Sequence, residues 1–304
     1  MSHPASRAIR GVLPVFQTPF HADFSIDFAT LQTEIDWLYT QGADGIVMGM
    51  VSETLRLSTE EREALAAAAC RYGRDQGVVI ISAGAESTHT AVRYARHAEA
   101  HGADAVMVIP PISVAVGEDE LRRYYATIIE AIDIPVVVQD ASGYVGRPMS
   151  IAMQAGLFNE YGDHVLFKPE AAPIGPRLSA LRDATGGRAP VFEGTGGIAL
   201  VDSYRRGVVG TMPGADLIDA LVALWRALEA GDEARIYQLS LPISALIAVQ
   251  TSLDSFLAVE KYLLVKRGIF TNTLIRGPVG YQLDAETQSE IDRLFAQLQG
   301  VLTQ

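Results

Sequence analysis

Short apolar runs rich in β-branched residues recur along this chain at intervals of roughly 30 residues, the size of one strand–helix–strand unit. Most of these runs are nearly continuously apolar, as expected of parallel strands that helices cover on both faces. The pattern predicts eight parallel strands. They are expected at 11–15, 44–49, 78–83, 104–109, 134–140, 164–168, 189–194 and 207–212.

Helix-start signals lie between the predicted strands. Helices are expected to begin near Asp27, Ser58, Thr88 and Gly117, and Ser58 is followed by acidic residues that suit the first helical turn. The segments QGADGIVMG and HGADAVMVI share the order of helix end, glycine turn and strand. Eight such units close most naturally into an α/β fold, the (β/α)₈ TIM barrel. An open doubly wound sheet is the alternative, but GVLPVFQTPF lacks its early glycine-rich fingerprint.

The pattern becomes wholly helical after about residue 214. We predict a barrel domain over 1–228 and a C-terminal helical appendage over 229–304. No Pro/Ser-rich linker separates the two, so the appendage is expected to pack on the barrel. The last four helices are predicted at 216–229, 232–248, 252–266 and 284–298.

Charge and composition limit the classes of binding partner and indicate the cellular compartment. The net charge of −12 argues against nucleic-acid or anionic-membrane partners, which need basic patches. The single cysteine, Cys70, permits no intrachain disulfide and fits a reducing compartment. The N-terminus lacks the apolar core of a signal peptide, and no apolar window reaches membrane-spanning length. We therefore expect a cytoplasmic protein.

Polar residues concentrate where the predicted strands end. In this barrel, function belongs at the carboxyl ends of the strands and in the loops that follow them. A uniform structural repeat would not require polar residues there. The segments are GMVSET at 49–54, PPIS at 110–113, QDAS at 139–142, KPE at 168–170 and EGTGG at 193–197.

Lys168 ends one apolar strand, and Pro169 follows it at once. Burial there disfavours the ammonium form, and a neutral amine can attack a ketone to form a Schiff base. The alternative is a lysine that reaches out to solvent at a strand end. Glu170 is two residues on and tends to share the face of Lys168. It would either shuttle protons once an imine exists or hold Lys168 charged and inert.

Two loops are candidate anion sites. The glycine-led turn GMVSET can aim backbone N–H groups at an anion, with Ser52 and Thr54 adding hydroxyl donors. The alternative is an ordinary loop that Glu53 braces. EGTGG resembles a phosphate cradle, but no lysine or arginine lies beside it and Glu193 precedes it. The HAEAH segment lacks the glutamate placement of a zinc protease, and we predict no metal site.

The segments GVLPVFQTPF, GMVSET, FKPE and EKYLLVKRGIF…RGPVGYQLDAETQ resemble the dihydrodipicolinate synthase / N-acetylneuraminate lyase family. Its members are lysine-dependent (β/α)₈ barrels that act on pyruvate or other 2-keto acids, commonly as tetramers. The resemblance implies that Lys168 forms the imine. It also implies that the loop around Val51 and Ser52 binds the keto-acid carboxylate through backbone amides, and that the protein is a homo-oligomer, a tetramer or a dimer.

The chain departs from the family pattern at several places. This chain has GMVSE where the family usually has GTTGE or GSTGE, and it has QDASGYVG where the family has YNxPxRTG. Gln139 thus takes the place of the catalytic tyrosine, and Tyr144 that of the synthase arginine. Pro111 and Ile112 stand where the family has a tyrosine pair. These departures argue against dihydrodipicolinate synthase activity.

VQDA, FKxE and EG at the fifth to seventh strands are instead similar to the L-2-keto-3-deoxyarabonate dehydratase branch. This resemblance implies a dehydratase of a 2-keto-3-deoxy sugar acid with no cofactor beyond the covalent imine at Lys168. A pyruvate-releasing aldolase and a non-catalytic keto-acid-binding barrel are the alternatives. The expected catalytic residues are Lys168, Gln139, Glu170 and Glu193. The expected substrate-binding residues are Val51, Ser52, Thr54, Asp140, Gly194 and Met212.

Overall fold

The computed structural model describes residues 7–142 and 147–303, and eight parallel strands lie within them. Each strand falls inside its predicted run or extends one residue beyond it. The strands are β1 (Gly11–Val12), β2 (Gly45–Val47), β3 (Val78–Ser82), β4 (Ala105–Val108), β5 (Val136–Asp140), β6 (Val165–Pro169), β7 (Phe192–Glu193) and β8 (Gly210–Thr211).

The strands form a closed barrel. β2 to β6 pair in sequence order, and β8 pairs with both β1 and β7. Parallel bridges between Val15 and Val47 and between Phe167 and Val191 join the two sets. The predicted (β/α)₈ barrel is therefore confirmed, and the open doubly wound alternative is wrong.

Helices follow the strands around the outside of the barrel, and short side chains cap the starts of four of the eight. Asp27 and Ser58 accept backbone hydrogen bonds at the starts of the first two helices, as the sequence indicated. The helix after β3 begins at Thr88 and is capped by Ser87. The bounds are α1 (Phe28–Thr40), α2 (Thr59–Gly73), α3 (Thr88–Ala100), α4 (Glu118–Ile129), α5 (Ile151–Tyr161), α6 (Ile174–Ala184), α7 (Leu200–Arg205) and α8 (Ile218–Ala230).

Strand pleating decides which side chains fill the barrel. Val137 and Leu166 belong to the interior cluster, whereas Val136, Val138 and Phe167 pack in the outer core toward the helices. Because alternate residues of a strand share a face, Lys168 continues the inward face of Leu166. The lysine therefore lies where the packed interior of the barrel opens at its carboxyl-terminal end.

Three helices follow the barrel: α9 (Glu233–Ala248), α10 (Leu253–Lys266) and α11 (Ala285–Leu302). α8, α9 and α11 pack together, and α10 packs against the short helical turn Met50–Ser52. The predicted domain boundary at 228/229 falls in the last turn of α8, which ends at Ala230. No single helix in the described part of the chain is long and apolar enough to cross a membrane; α9 and α10 reach that composition only as a pair bent by 120°.

A buried ion pair fastens α10 to the barrel. The Lys261 ammonium donates to the Glu53 carboxylate, to the Thr18 carbonyl (2.8 Å) and to the Leu274 carbonyl (2.6 Å). Burial lowers the pKa of Lys261, and the charge of Glu53 opposes that shift. Three separate segments thus meet at one ammonium group.

Lys261→Met is expected to lower the free energy of unfolding by about 3–5 kcal/mol, because it leaves the Glu53 carboxylate buried and unpaired. Urea unfolding followed by tryptophan fluorescence measures the change. The matched control is Lys266→Met on the same helix, whose ion pair with Asp292 is exposed and contributes about 1 kcal/mol or less. Equal losses in the two variants would contradict the anchoring role of Lys261.

Candidate active site

A cavity of about 50 Å³ opens at the carboxyl ends of the strands. Strand ends and loops of the barrel form most of its wall, and α10 closes it from above. Of the predicted site residues, the cavity is lined by Val51, Gln139, Lys168, Glu170, Gly194 and Met212.

The centre of the cavity is a hydrogen-bonded chain of three buried side chains. Lys168 Nζ lies 2.8 Å from Glu170 Oε1, and Gln139 Nε2 donates to Glu170 Oε2 at 2.8 Å. Gln139 is opposite Lys168 in the β5–β6 register, which brings the amide to the carboxylate. Burial raises the pKa of Glu170, and the Lys168 charge opposes the shift. A basic carboxylate therefore lies within proton-transfer distance of the amine.

Lys168 does not reach bulk solvent. It is 4% exposed, and its polar neighbour and the cavity are both internal to the barrel. The alternative of a lysine extending outward from the strand end is therefore wrong. Transfer of the ammonium proton to Glu170 leaves a neutral amine beside an enclosed space, which is the state that attacks a carbonyl.

Glu193 is near this chain but does not line the cavity. Its Oε1 accepts from the Thr195 N–H at 2.5 Å and from the Thr195 hydroxyl, and its Oε2 accepts from Thr211 Oγ1 at 2.6 Å. Both carboxylate oxygens thus have partners: Oε1 holds the loop after β7, and Oε2 bonds to β8. Direct catalysis by Glu193 finds no support in this geometry, and its charge instead adds to the rise in the pKa of Glu170.

The turn after β2 presents backbone donors. In the described part of the chain, nothing accepts a hydrogen bond from the N–H groups of Met50 and Val51, and both residues line the cavity. These two N–H groups form a ready anion site beside Lys168.

The expectation for Ser52 and Thr54 requires correction. Ser52 Oγ donates to the Phe16 carbonyl at 2.5 Å, its N–H donates to the Gly49 carbonyl, and Thr54 Oγ1 donates to that same carbonyl at 3.3 Å. Neither residue lines the cavity. Short hydroxyl side chains in a tight turn satisfy nearby backbone groups, so they shape the turn and do not contact the ligand space.

Asp140 also lies outside the cavity wall. Its carboxylate accepts from the N–H groups of Ser142 (3.2 Å) and Met149 (3.0 Å), and it pairs with Arg177 at 3.5 Å. Its side chain points to the opposite face from Gln139, as strand alternation requires. Asp140 therefore holds the ends of the loop after β5. Tyr144, predicted at the synthase arginine position, lies outside the described residues.

The sequence did not predict that residues of α10 form part of the cavity wall. Leu253, Phe256 and Glu260 line the cavity from this helix. The available signal was an acidic residue inside the apolar helical run FLAVEKYLL, because an acid on a buried helix face needs a structural or functional partner.

Glu260 belongs to a buried group of acids. Its Oε2 accepts from Gln17 Nε2, and Glu34 Oε1 accepts from the Gln17 N–H at 2.9 Å. Burial raises the pKa of Glu34 to about 8 and that of Asp216 to about 6. Burial, then the charge of Asp216, raises the pKa of Glu260 well above its ordinary range. Within the described ranges, no three acidic, histidine or cysteine side chains are placed to hold a metal ion.

A buried lysine and a turn with two free backbone N–H groups lie at the mouth of a (β/α)₈ barrel. The profile of the dihydrodipicolinate synthetase family matches residues 8–298, and the chain belongs to that family of lyases. It is 27% identical to the 4-hydroxy-tetrahydrodipicolinate synthase of Bartonella bacilliformis over 88% of this chain and 90% of that protein. It is also 27% identical to the L-2-keto-3-deoxyarabonate dehydratase of Azospirillum brasilense, over 93% and 92%.

Solved structures agree with these relationships. A dihydrodipicolinate synthase from Rhodopseudomonas palustris superposes with a TM-score of 0.85 at 27% identity, covering 95% of this chain and 97% of that chain. A family protein from Pseudomonas aeruginosa, described as a putative dihydrodipicolinate synthetase, gives 0.87 at 27% identity over 96% and 100%.

Gly194→Ala is expected to slow imine formation by about 100-fold while the protein stays folded. A Cβ at this position would lie 2.8 Å from Glu170 Cγ and 2.9 Å from Lys168 Cε, so both side chains must move. The rate of borohydride-trapped adduct formation with pyruvate measures the effect. The control is Gly156→Ala in α5, where a Cβ meets nothing within 4 Å. Equal trapping rates in the two variants would contradict the expectation.

Glu34→Gln is expected to remove a pH-dependent loss of stability. The pKa of Glu34 rises from 4.5 to about 8 on folding, so its contribution is full below pH 4.5 and is lost as pH rises to about 8. Between pH 5 and 8 the wild type should therefore lose roughly 3–4 kcal/mol more unfolding free energy than the variant. Urea unfolding at both pH values measures this, and parallel pH profiles would contradict it.

Proposed function

We propose that this protein is a Schiff-base lyase that removes water from a 2-keto-3-deoxy sugar acid. The observation that carries the proposal is the Lys168 amine, buried at the barrel mouth beside a cavity and 2.8 Å from Glu170. Gln139 fixes the second oxygen of that carboxylate. Nucleophile, proton acceptor and orienting group are thus present within one hydrogen-bonded chain.

The substrate carboxylate binds in this proposal to the N–H groups of Met50 and Val51. Both residues line the cavity that Lys168 enters, and neither N–H has an acceptor among the described residues. Anchoring the carboxylate there places the adjacent keto carbon within reach of the amine. Two fixed backbone donors recognise the 2-keto acid group without regard to the rest of the molecule.

The reaction then needs no group beyond the substrate, water and the named side chains. The neutral Lys168 amine attacks C2 and the protonated Glu170 gives its proton to the keto oxygen. Loss of that oxygen as water leaves an iminium ion and an ionised Glu170. Glu170 takes a proton from C3, and the electron pair of that C–H bond forms the enamine. The enamine expels the C4 hydroxyl, to which Glu170 returns the proton, and water leaves. Hydrolysis of the conjugated iminium releases the product and restores Lys168.

Gln139 supports dehydration over chemistry that needs a tyrosine proton relay. An amide donates and accepts hydrogen bonds but does not ionise. Its Nε2 is committed to Glu170, and its buried Oε1 has no partner among the described residues, which leaves it for a substrate hydroxyl. The similarity to the dehydratase from Azospirillum brasilense supports the same reaction type.

Borohydride trapping tests the imine. Pyruvate plus borohydride should add mass to the wild type at Lys168 and add none to Lys168→Ala. Lys266→Ala is the matched control, because that lysine lies at the surface end of α10 and should leave trapping unchanged. Glu170→Gln should keep the fold and lower turnover by about 10²–10⁴-fold. A wild type that forms no adduct, or an adduct at another lysine, would remove the mechanism.

The products separate dehydration from aldol cleavage. A panel of 2-keto-3-deoxy acids is incubated with the protein, and the products are analysed by mass spectrometry. A dehydratase yields a product of unchanged carbon number that is lighter by one water, whereas an aldolase releases pyruvate and an aldehyde. Pyruvate release at the rate of substrate loss would replace the dehydratase proposal, and tight binding without turnover would favour a binding protein.

A further inference from the structure

One buried acid in the cavity wall takes no part in the steps described above. Glu260 lines the cavity from α10 and is 2% exposed. Its Oε2 accepts from Gln17 Nε2. Its Oε1 makes no hydrogen bond within the described part of the chain and is not among the fully buried unpaired atoms, so it faces accessible space. A carboxyl oxygen that faces a cavity and has no protein partner is placed to contact a ligand group there.

Hydrogen bonds connect Glu260 to the turn after β2. Gln17, its partner, lies between two residues that are tied to the turn after β2. The Phe16 carbonyl accepts from Ser52 Oγ, and Thr18 Oγ1 donates to the Ser52 carbonyl at 2.6 Å. α10 itself packs on the turn Met50–Ser52. Residues 16–18 therefore connect Glu260 to the turn after β2, and Glu260, Met50 and Val51 line one cavity.

The charges around Glu260 favour its neutral form. Glu34 on α1 and Asp216 after β8 are both acids, and both oppose ionisation of Glu260. The one nearby cation on its own helix, Lys261, is hydrogen-bonded to Glu53 and two carbonyls. A neutral carboxyl donates one hydrogen bond, whereas an ionised one only accepts and would repel an anionic ligand.

We propose that the neutral Glu260 carboxyl donates a hydrogen bond from Oε1 to the carboxylate of the bound 2-keto acid, beside the N–H groups of Met50 and Val51. The inference rests on the proposed function, because it requires a 2-keto acid held at Lys168. The proton stays on Glu260 throughout. Gln17 Nε2 can only donate, so it fixes Oε2 as the acceptor oxygen and leaves the O–H on the cavity side. Hydrogen bonds of this charge-assisted kind are among the strongest in proteins.

The test compares pyruvate with methyl pyruvate, which carries the same ketone but has no carboxylate. The concentration that gives half-maximal borohydride trapping is measured for each, and their ratio defines the carboxylate preference. Glu260→Gln keeps a hydrogen-bond donor of nearly the same shape, and it should keep the preference within a few-fold. Glu260→Leu removes the donor, and it should lower the preference by roughly ten- to a hundredfold.

A pH series supplies a readout that a purely structural role would not move. As pH rises and Glu260 ionises, the wild-type preference should fall more steeply than that of Glu260→Gln, by up to about tenfold per pH unit. Glu34 and Glu170 are present in both proteins, so the difference between the two pH profiles isolates Glu260.

The outcomes separate the two proposals. A wild-type preference retained by Glu260→Leu, or lost equally in Glu260→Gln and Glu260→Leu, overturns the role of Glu260 and leaves the imine mechanism intact. If Glu260→Leu does not fold, superposed pH profiles of the wild type and Glu260→Gln overturn it instead. A wild type that traps neither ligand overturns the proposed function itself.

Discussion

The contact between Lys168 and Glu170 is the constraint on which the rest of the site depends. Removing an ammonium and a carboxylate from water costs several kcal/mol per ion, and only close pairing with further hydrogen bonds offsets that cost. The 2.8 Å contact and the second bond from Gln139 supply that compensation. The same burial raises the pKa of Glu170, which makes its carboxylate a better proton acceptor. The ion pair that stabilises the barrel mouth is thus the same pair to which we assign the proposed chemistry.

The pleat and register of the strands determine which side chains meet at the barrel mouth. The pleat of β6 carries the inward face from Leu166 to Lys168, and the parallel register sets Gln139 opposite Lys168. A slip of one residue in β5 would turn Asp140 inward and place a second carboxyl beside Lys168. The hydrophobic layer inside the barrel, which includes Val137 and Leu166, prevents that slip. Packing deep in the barrel therefore determines the composition of its mouth.

Periodicity predicted the strands and the shared face of Lys168 and Glu170, because both follow from local alternation along the chain. The roles of four polar residues were harder to predict, because nearby backbone or hydroxyl groups compete for their side chains. These residues are Glu193, Ser52, Thr54 and Asp140. The partner that such a side chain binds depends on the conformation of its loop. The spacing of apolar residues along the sequence does not predict that conformation. Glu260 was missed for another reason: its neighbour Gln17 is 243 residues away in sequence, and only closure of the whole fold brings them together.

The helix α10 gives the C-terminal segment a second role besides covering the barrel. Lys261 fastens it, and the adjacent Glu260 enters the cavity, so attachment and lining are encoded in consecutive residues. The barrel and its appendage are consequently not modules that evolution or an engineer can exchange freely. Replacing the C-terminal helices with those of another family member would change the cavity wall near Lys168 and the ion pair of Lys261 together. Ligand selectivity and stability would therefore change at the same time.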